Sequence, residues 1–438
     1  MTSLFHPFTD PKVFEFDKQR KKTAAEVPSN FLSLSRNFYF SQERPQIFSI
    51  VALAEPILDI TSVIDESLIE KYGLKWGGTV LIDEKDEKLV KIFEDLEKMP
   101  EVEFVPGGSA QNSVRVLRWC LNADPYLQHN FKVSMVGSIG DDPYKDKILN
   151  ALKELGVNPI FEVLKNDKTS RCAVGIYKKE KTFATQLMAS KRLSEEFVDQ
   201  HINEIISHQA LFIEGYMVSN KFDICKKLID YFLKDKKTII LSLCAPFIVK
   251  FHHDKIVELA NNADIITGNL EEAIEFSGHQ SKDIDTIFQI IFEKLKPKEN
   301  RLLVITDGDN GAYWGKYDYE EKRLEHIIQY FAYDLKEDEI QDLNGAGDAF
   351  LGGFLSKYME GYSVHDCCKI GIEAATVILK NVGCTFDKNR SLSDQLNSKK
   401  YLVGEKIYKN QINLGISYCF IKLFRLINIL FIFLNLIV

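Results

Sequence analysis

Asp342-Leu343-Asn344-Gly345-Ala346-Gly347-Asp348-Ala349-Phe350 lies between a β-rich segment and a stretch that reads as an amphipathic helix. Gly345, Ala346 and Gly347 make a loop with almost no side-chain bulk. Such a loop lets backbone N–H groups approach an anion at a helix N-terminus, where unpaired donors and the helix dipole favour negative charge. Asp348 follows in the first turn. A carboxylate beside an anion-binding loop has a chemical use if it accepts the proton of a hydroxyl about to attack phosphorus. The plainer reading is that Asp348 satisfies helix-start N–H groups. In the helix that follows, Phe350, Leu351, Phe354, Leu355 and Tyr358 mark an apolar face, and Gly361 closes it. Gly352-Gly353 lowers helix propensity in its interior and predicts close packing against another element.

Working outward, three further patterns stand in order along the chain. The apolar run Ile47–Leu53 has strand length and leads into Pro56-Ile57-Leu58-Asp59. Pro56 stops pairing, so Asp59 is expected at or just after the strand's C-terminal end, where open α/β sheets bind ligands. An ordinary loop aspartate is the other reading. Gly107-Gly108 then opens a helix whose first turn carries Ser109 and Asn112; turns also use paired glycines. Asn269-Leu270-Glu271-Glu272 starts a third helix, and taken alone it is a capping-box pattern.

Between these patterns, strands and helices alternate. Ala210–Glu214, Thr238–Leu243, Asp264–Thr267 and Arg301–Ile305 read as strands, with helices at Phe222–Leu233, Asp254–Ala260, Asn269–Phe276 and Ile284–Leu295. This order predicts an α/β fold with a doubly wound, mainly parallel sheet flanked by helices. Arg171–Tyr177 and Thr182–Leu187 have mixed polarity and suit a small sheet with one open face.

Composition fits a large globular core: 438 residues, 45% hydrophobic and 27% charged. The net charge of −8 gives no basic excess for nucleic-acid binding. The eight cysteines form no C-x-x-C pair and read as reduced, mostly buried thiols. Residues 1–45 lack an apolar run and read as a flexible extension. From Ile412 to Val438 the chain is strongly apolar. A tail anchor giving membrane contact through 412–438, a helix packed on the body or a partner, and translated non-coding sequence are the competing readings.

Taken together, Asp342–Asp348, Gly107-Gly108 with Asn112, and Asn269-x-x-Glu272 resemble the signatures of the ribokinase-like (PfkB) carbohydrate and nucleoside kinases. Pro56–Ile60, Lys71–Lys75, Gly108–Val114, Ala245–Ile248 and Gly383–Phe386 resemble the branch that phosphorylates adenosine. The resemblance runs from about Phe48 to Phe386. It implies transfer of the ATP γ-phosphoryl group to the adenosine 5′-hydroxyl, with Mg²⁺, by a cytoplasmic monomer. It implies a large domain (46–58, 84–168 and 190–395), a small β-sheet lid (59–83 and 169–189) and a tail (396–438) of no assigned role. Asp348 would be the base, and Gly345, Ala346 and Gly347 would hold the developing oxyanion. Asp59, Gly107, Gly108, Ser109, Asn112, Phe247 and Asn344 would bind substrate. Thr306, Gly308, Gly345, Gly347 and Gly383 would line the ATP groove, and Glu272 with Asn269 would order Mg²⁺ through water.

Five positions depart from that pattern. Ala54-Glu55 replaces the usual Gly-Asn and bears on substrate choice, leaving another nucleoside or a sugar as the alternative acceptor. Leu343 replaces Thr beside the phosphate loop. Lys181 stands where Arg is common, keeping charge without the bidentate fork. Ser242 stands where Asn is common. A non-catalytic relative that binds adenosine is the third reading, against which the retained Asp348 and glycine loop argue.

Overall fold

In the computed structural model, which describes residues 46–177, 180–396 and 405–410, the strand Ser49–Leu53 (β1) buries both of its faces. Val51 and Leu53 enter one hydrophobic core and Ile50 and Ala52 the other. That is the period-two behaviour of a strand covered by helices on both sides. Fourteen further strands follow: Ile57–Val63 (β2), Thr79–Leu81 (β3), Glu103–Gly107 (β4), Lys132–Gly140 (β5), Val157–Leu164 (β6), Arg171–Tyr177 (β7), Glu180–Gln186 (β8), Ala210–Glu214 (β9), Thr238–Ser242 (β10), Ile265–Asn269 (β11), Leu302–Thr306 (β12), Ala312–Asp318 (β13), Arg323–Tyr330 (β14) and Glu405–Asn410 (β15).

The large sheet has the order β15-β14-β13-β12-β11-β10-β9-β1-β5-β6. From β12 to β6 every pairing is parallel, and β13 to β15 add an antiparallel edge. The chain leaves β1 for β5 and β6 on one side, then returns to β9 on the other. That reversal makes the carboxyl ends of β1 and β9 a topological switch point, the usual place for a ligand. The expected doubly wound sheet is therefore present.

The small sheet has the order β3-β8-β7-β2-β4. Two helices, Glu66–Tyr72 (α1) and Glu87–Glu97 (α2), cover it, burying Leu68, Ile69, Ile92, Phe93 and Leu96 against Ile60, Ala173 and Ala184. This moves the expected boundary. Residues 84–168 are expected in the large domain, but α2 and β4 belong to the small unit, because the apolar face of α2 has its partner there. Asp59 also moves: it is the third residue of β2, inside the small sheet, and does not follow the end of β1.

Three helices carry the site-forming end of one face: Ser109–Leu121 (α3), Ala346–Met359 (α5) and Val364–Leu379 (α6), with Leu270–Ser277 (α4) at the end of β11. The helix α5 is not amphipathic. It is buried from Ala349 to Ser356, because α3 and α6 cover both of its flanks. Within the stretch 396–438, residues 405–410 form the edge strand β15, so that part is a strand of the sheet. The apolar stretch 412–438, its membrane reading and residues 1–45 lie outside the described residues. Among the described residues no helix is long and apolar enough to cross a membrane, and all seven described cysteines are free thiols.

Candidate active site

Gly345 caps α5 with φ at +77°, the left-handed conformation that glycine adopts without a Cβ penalty. This turn aims the chain into the helix while leaving the first-turn N–H groups without a side-chain cap. Gly347 is open: no heavy atom lies within 4 Å of where a Cβ would stand. The carboxylate of Asp348 does not turn back onto these donors. Its Oδ1 accepts from Ser109 Oγ at 2.7 Å and its Oδ2 from Asn112 Nδ2 at 3.0 Å. Both donors stand in the first turn of α3. The glycine turn thus leaves its N–H groups without a side-chain cap, and the helix-cap reading of Asp348 fails.

The α3 turn needs its own glycines. Gly108, with φ at +90°, passes against the Glu55 carbonyl, which would stand 2.8 Å from a Cβ. A Cβ on Gly107 would lie 2.3 Å from Asp59 Oδ2. The second glycine lets the chain turn and the first makes room for a carboxylate. Ser109, Asn112, Gly107, Asp59 and Asp348 are thereby brought together from α3, two strands of the small sheet and α5.

A cleft runs between the small sheet and the glycine turn, lined by Asp59, Asn112, Lys181, Asp342, Asn344, Gly345 and Gly383 among others. Asp342 organises its floor. It accepts from Gly383 N at 2.6 Å, and from Asn344 N and Nδ2 at 3.0 and 2.9 Å. Lys181, from β8, forms an ion pair with it. The two side chains are only 8% and 1% exposed, so this pair ties the small sheet to the glycine turn away from solvent. Arg115, also buried, donates to Pro106 O at 2.8 Å and Cys384 O at 3.2 Å, linking β4 to the loop that carries Gly383.

Acidic groups dominate the electrostatics. Burial pushes the Asp59 carboxyl up to about 7, against the pull of Arg115 and Lys181; the Asp348 charge adds to the rise. Burial also raises Asp348, with the Asn112 and Ser109 donors holding it down. Glu272 rises to about 7 through burial, against the Asn269 backbone donor and with help from the Asp348 charge, which places it in the same field. Buried carboxylates of this density suit a ligand that brings hydroxyl donors and a cation.

Asn269 and Glu272 form the capping box that their spacing allows. Glu272 N donates to Asn269 Oδ1 at 2.9 Å, and Asn269 N donates to Glu272 Oε2 at 3.0 Å. Thr306 pairs across the sheet with Asn269, at the carboxyl ends of β12 and β11, and Gly308 follows in an open turn with φ at +51°. Phe247 is not brought to the cleft. It is half exposed on the helix Pro246–Phe251, its ring 6.2 Å from that of Tyr216. Leu343 is 66% exposed beside the glycine turn.

Sequence reasoning did not single out Asp342, Arg115 or Glu214. Arg115 carried a weak signal: a cation three residues after Asn112, on a helix that also carries Arg118. Glu214 carried a weaker one, an acid at the end of the apolar run Ala210–Ile213. Asp342 lay inside the quoted stretch, but its partner Lys181 is 161 residues away and nothing local announces the pair.

Comparison with known proteins places this geometry. The profile of the pfkB family carbohydrate kinase matches residues 68–390. The adenosine kinase of Schizophyllum commune is 29% identical over 357 residues, spanning 77% of this chain and 97% of that protein. Among solved structures, the apo adenosine kinase of Trypanosoma brucei brucei has a TM-score of 0.69 at 27% identity, covering 77% of this chain and all of that one (100%). The Anopheles gambiae adenosine kinase, in complex with P1,P4-di(adenosine-5) tetraphosphate, has a TM-score of 0.66 at 25% identity, covering 78% of this chain and 98% of its own.

Proposed function

Because the chain belongs to the pfkB family of carbohydrate kinases, phosphotransferases that act on a hydroxyl acceptor, we propose that it transfers the γ-phosphoryl group of ATP to the 5′-hydroxyl of adenosine, giving AMP and ADP. The observation that carries this reading is the placement of Asp348, held by Ser109 and Asn112 beside a glycine turn whose N–H groups stay available. The adenosine kinases that the chain resembles over most of its length support the choice of acceptor.

Phosphoryl transfer needs positioning and charge neutralisation more than covalent chemistry. Asp348 takes the 5′-hydroxyl proton. Ser109 and Asn112 each donate to one of its oxygens, which fixes its aim and favours its charged form. The N–H groups of Gly345, Ala346 and Gly347 face the phosphoryl oxygens as charge builds on them. Asp59 accepts from the ribose hydroxyls, next to Gly107, Gly108 and Asn344. Thr306, Gly308 and Gly383 border the ATP groove. The small unit acts as the lid, and the Lys181–Asp342 pair is its point of closure; a closed lid excludes water from the reaction.

Mg²⁺ supplies charge neutralisation between the phosphates when bound. Among the described residues, no group of three or more His, Cys, Asp or Glu side chains could hold a metal by direct ligation. Glu272 is 5% exposed, and both of its oxygens already accept from Asn269. Glu272 and Asn269 therefore fit a water-mediated shell around an ion held mainly by phosphate oxygens, as Mg²⁺ prefers. A monomeric cytoplasmic enzyme of purine salvage, without a nucleic-acid partner, belongs to the same proposal.

One observation favours a second reading. Glu55 is buried, burial pushes its carboxyl up to about 7, and its Oε1 has no hydrogen-bond partner. Such an oxygen suits an extra hydroxyl, as a sugar or another nucleoside would offer. The deciding experiment presents adenosine, inosine, ribose and fructose to the full chain with Mg-ATP. AMP from adenosine is expected; product from a sugar with none from adenosine would overturn the proposal. The Asp348→Asn variant should bind adenosine while losing about 10²- to 10⁴-fold in kcat. Near-normal turnover would remove Asp348 as base.

A further inference from the structure

We propose that Glu214 is a positioning residue for Asp348, acting through the first turn of α3. The inference rests on the reading of Asp348 as the base. Glu214 ends β9 beside β1, and its side chain comes from an element that carries none of the residues assigned above to catalysis. It is 1% exposed. Its Oε2 accepts from Ala110 N at 2.9 Å, and its Oε1 accepts from the backbone N–H of Glu55. One carboxylate therefore joins the end of β9, the turn between β1 and β2, and the start of α3.

The start of α3 depends on this contact. Its N-cap residue is Gly108, which has no side chain to offer the orphan donors of the first turn. Glu214 supplies from a neighbouring strand the acceptor that an Asp or Ser cap would have supplied locally, and the helix dipole favours its charge there. Ala110 sits between Ser109 and Asn112, the two residues that hold both oxygens of Asp348. A shift of the Ala110 N–H shifts both donors at once. Among the described residues the carboxylate has backbone donors and no cationic partner, so this geometry is what compensates its burial.

The ionisable groups that share its field are Glu55 from the β1–β2 turn, Asp348 from α5, Tyr216 and Cys244 from the segments after β9 and β10, and Cys225 from the helix Phe222–Lys234. None is a cation. Burial and the Glu55 charge raise the Glu214 carboxyl to about 8, so it acts on Asp348 through the start of α3 rather than as a charge.

The test is Glu214→Gln in the full-length enzyme. The amide turns an N–H₂ toward one of two backbone donors, so one of the two hydrogen bonds is lost. We expect kcat to fall about tenfold, the size of one buried hydrogen bond. KM for ATP and for adenosine should stay within about twofold. A purely structural role would lower Tm and raise KM together with any loss of kcat, which overturns the proposal, as would wild-type kcat. If Glu214→Gln does not fold, Glu214→Asp decides: it draws back from Ala110, so kcat should fall with KM unchanged; unchanged kcat refutes. Asp348→Asn separates the two levels. Normal turnover there sinks the base reading itself, whereas lost turnover there with an unaffected Glu214→Gln sinks only the present inference.

Discussion

Replacing Gly352 with Ala tests whether the spacing of α3 and α5 sets the geometry of the base. Gly352 lies one turn after Asp348 on α5, and Ser113 lies one turn after Ser109 on α3, so the two pairs stack along the same contact. A Cβ at 352 would stand 2.6 Å from Ser113 O, 2.8 Å from Val116 Cβ and 2.9 Å from Leu117 N. These are backbone and Cβ atoms of a buried helix and cannot swing aside. Ordinary carbon contacts need about 3.5 Å, so the helices must separate by roughly 0.6 Å or more. The same displacement applied to the Ser109–Asp348 contact, now 2.7 Å, and to the Asn112–Asp348 contact, now 3.0 Å, takes both past good hydrogen-bond range. Two energies oppose each other. Ala gains up to about 1 kcal/mol of helix propensity over Gly, and overpacking costs about 1–3 kcal/mol. Overpacking wins, so Tm should fall by a few degrees. Misplacement of the base should lower kcat about 10- to 100-fold. Thermal melts and an ADP-release assay with saturating adenosine and Mg-ATP measure both. A stabilised variant, or one with reduced Tm and wild-type kcat, would refute the link between helix spacing and Asp348.

Two further outcomes are expected. Lys181→Met leaves Asp342 buried without its cation, which costs about 3–5 kcal/mol; adding Asp342→Asn should recover part of the lost Tm, and a double variant no more stable than the single one would contradict the pairing. Stability of the ligand-free protein should decline with rising pH, because Glu55, Asp59 and Glu272 are raised to about 7 and Glu214 to about 8, chiefly by burial. A folded-state pKa above the unfolded one means extra bound protons, so the stabilisation is complete below the unfolded carboxylate range and is lost as pH rises through about 7 to 8. Melts across that window settle it; a Tm that climbs instead would show these acids to be ionised and paired.

What could be read beforehand divides by the range of the forces involved. The glycine turn, the paired glycines of α3 and the capping box at Asn269 declare themselves within a few residues, because backbone conformation and orphan N–H groups are local matters. The buried parallel strands declare themselves as apolar runs. Edge strands do not. Val157–Leu164 contains Pro159 and Glu103–Gly107 contains Pro106, and each proline argues against a strand; both strands lie at a sheet edge, where one side of the ladder makes no demand for an N–H. Gly137 and Gly140 lie within β5 and continue it to its end. Gly140 is there because the backbone of Lys168 and Thr169 passes within 2.4 Å of where a Cβ would be. Asp59 stands out in the sequence as a candidate ligand group, but its place inside β2 does not, since the sequence marks the break at Pro56 but not the partner strands β4 and β7 that receive the chain beyond it. Asp342 and Glu214 were the least legible, although each fixes a part of the site. Their partners, Lys181, Ala110 and Glu55, are 104 to 161 residues away. A buried acid is tolerated only where the fold delivers its donors, so its role appears once those donors are in place.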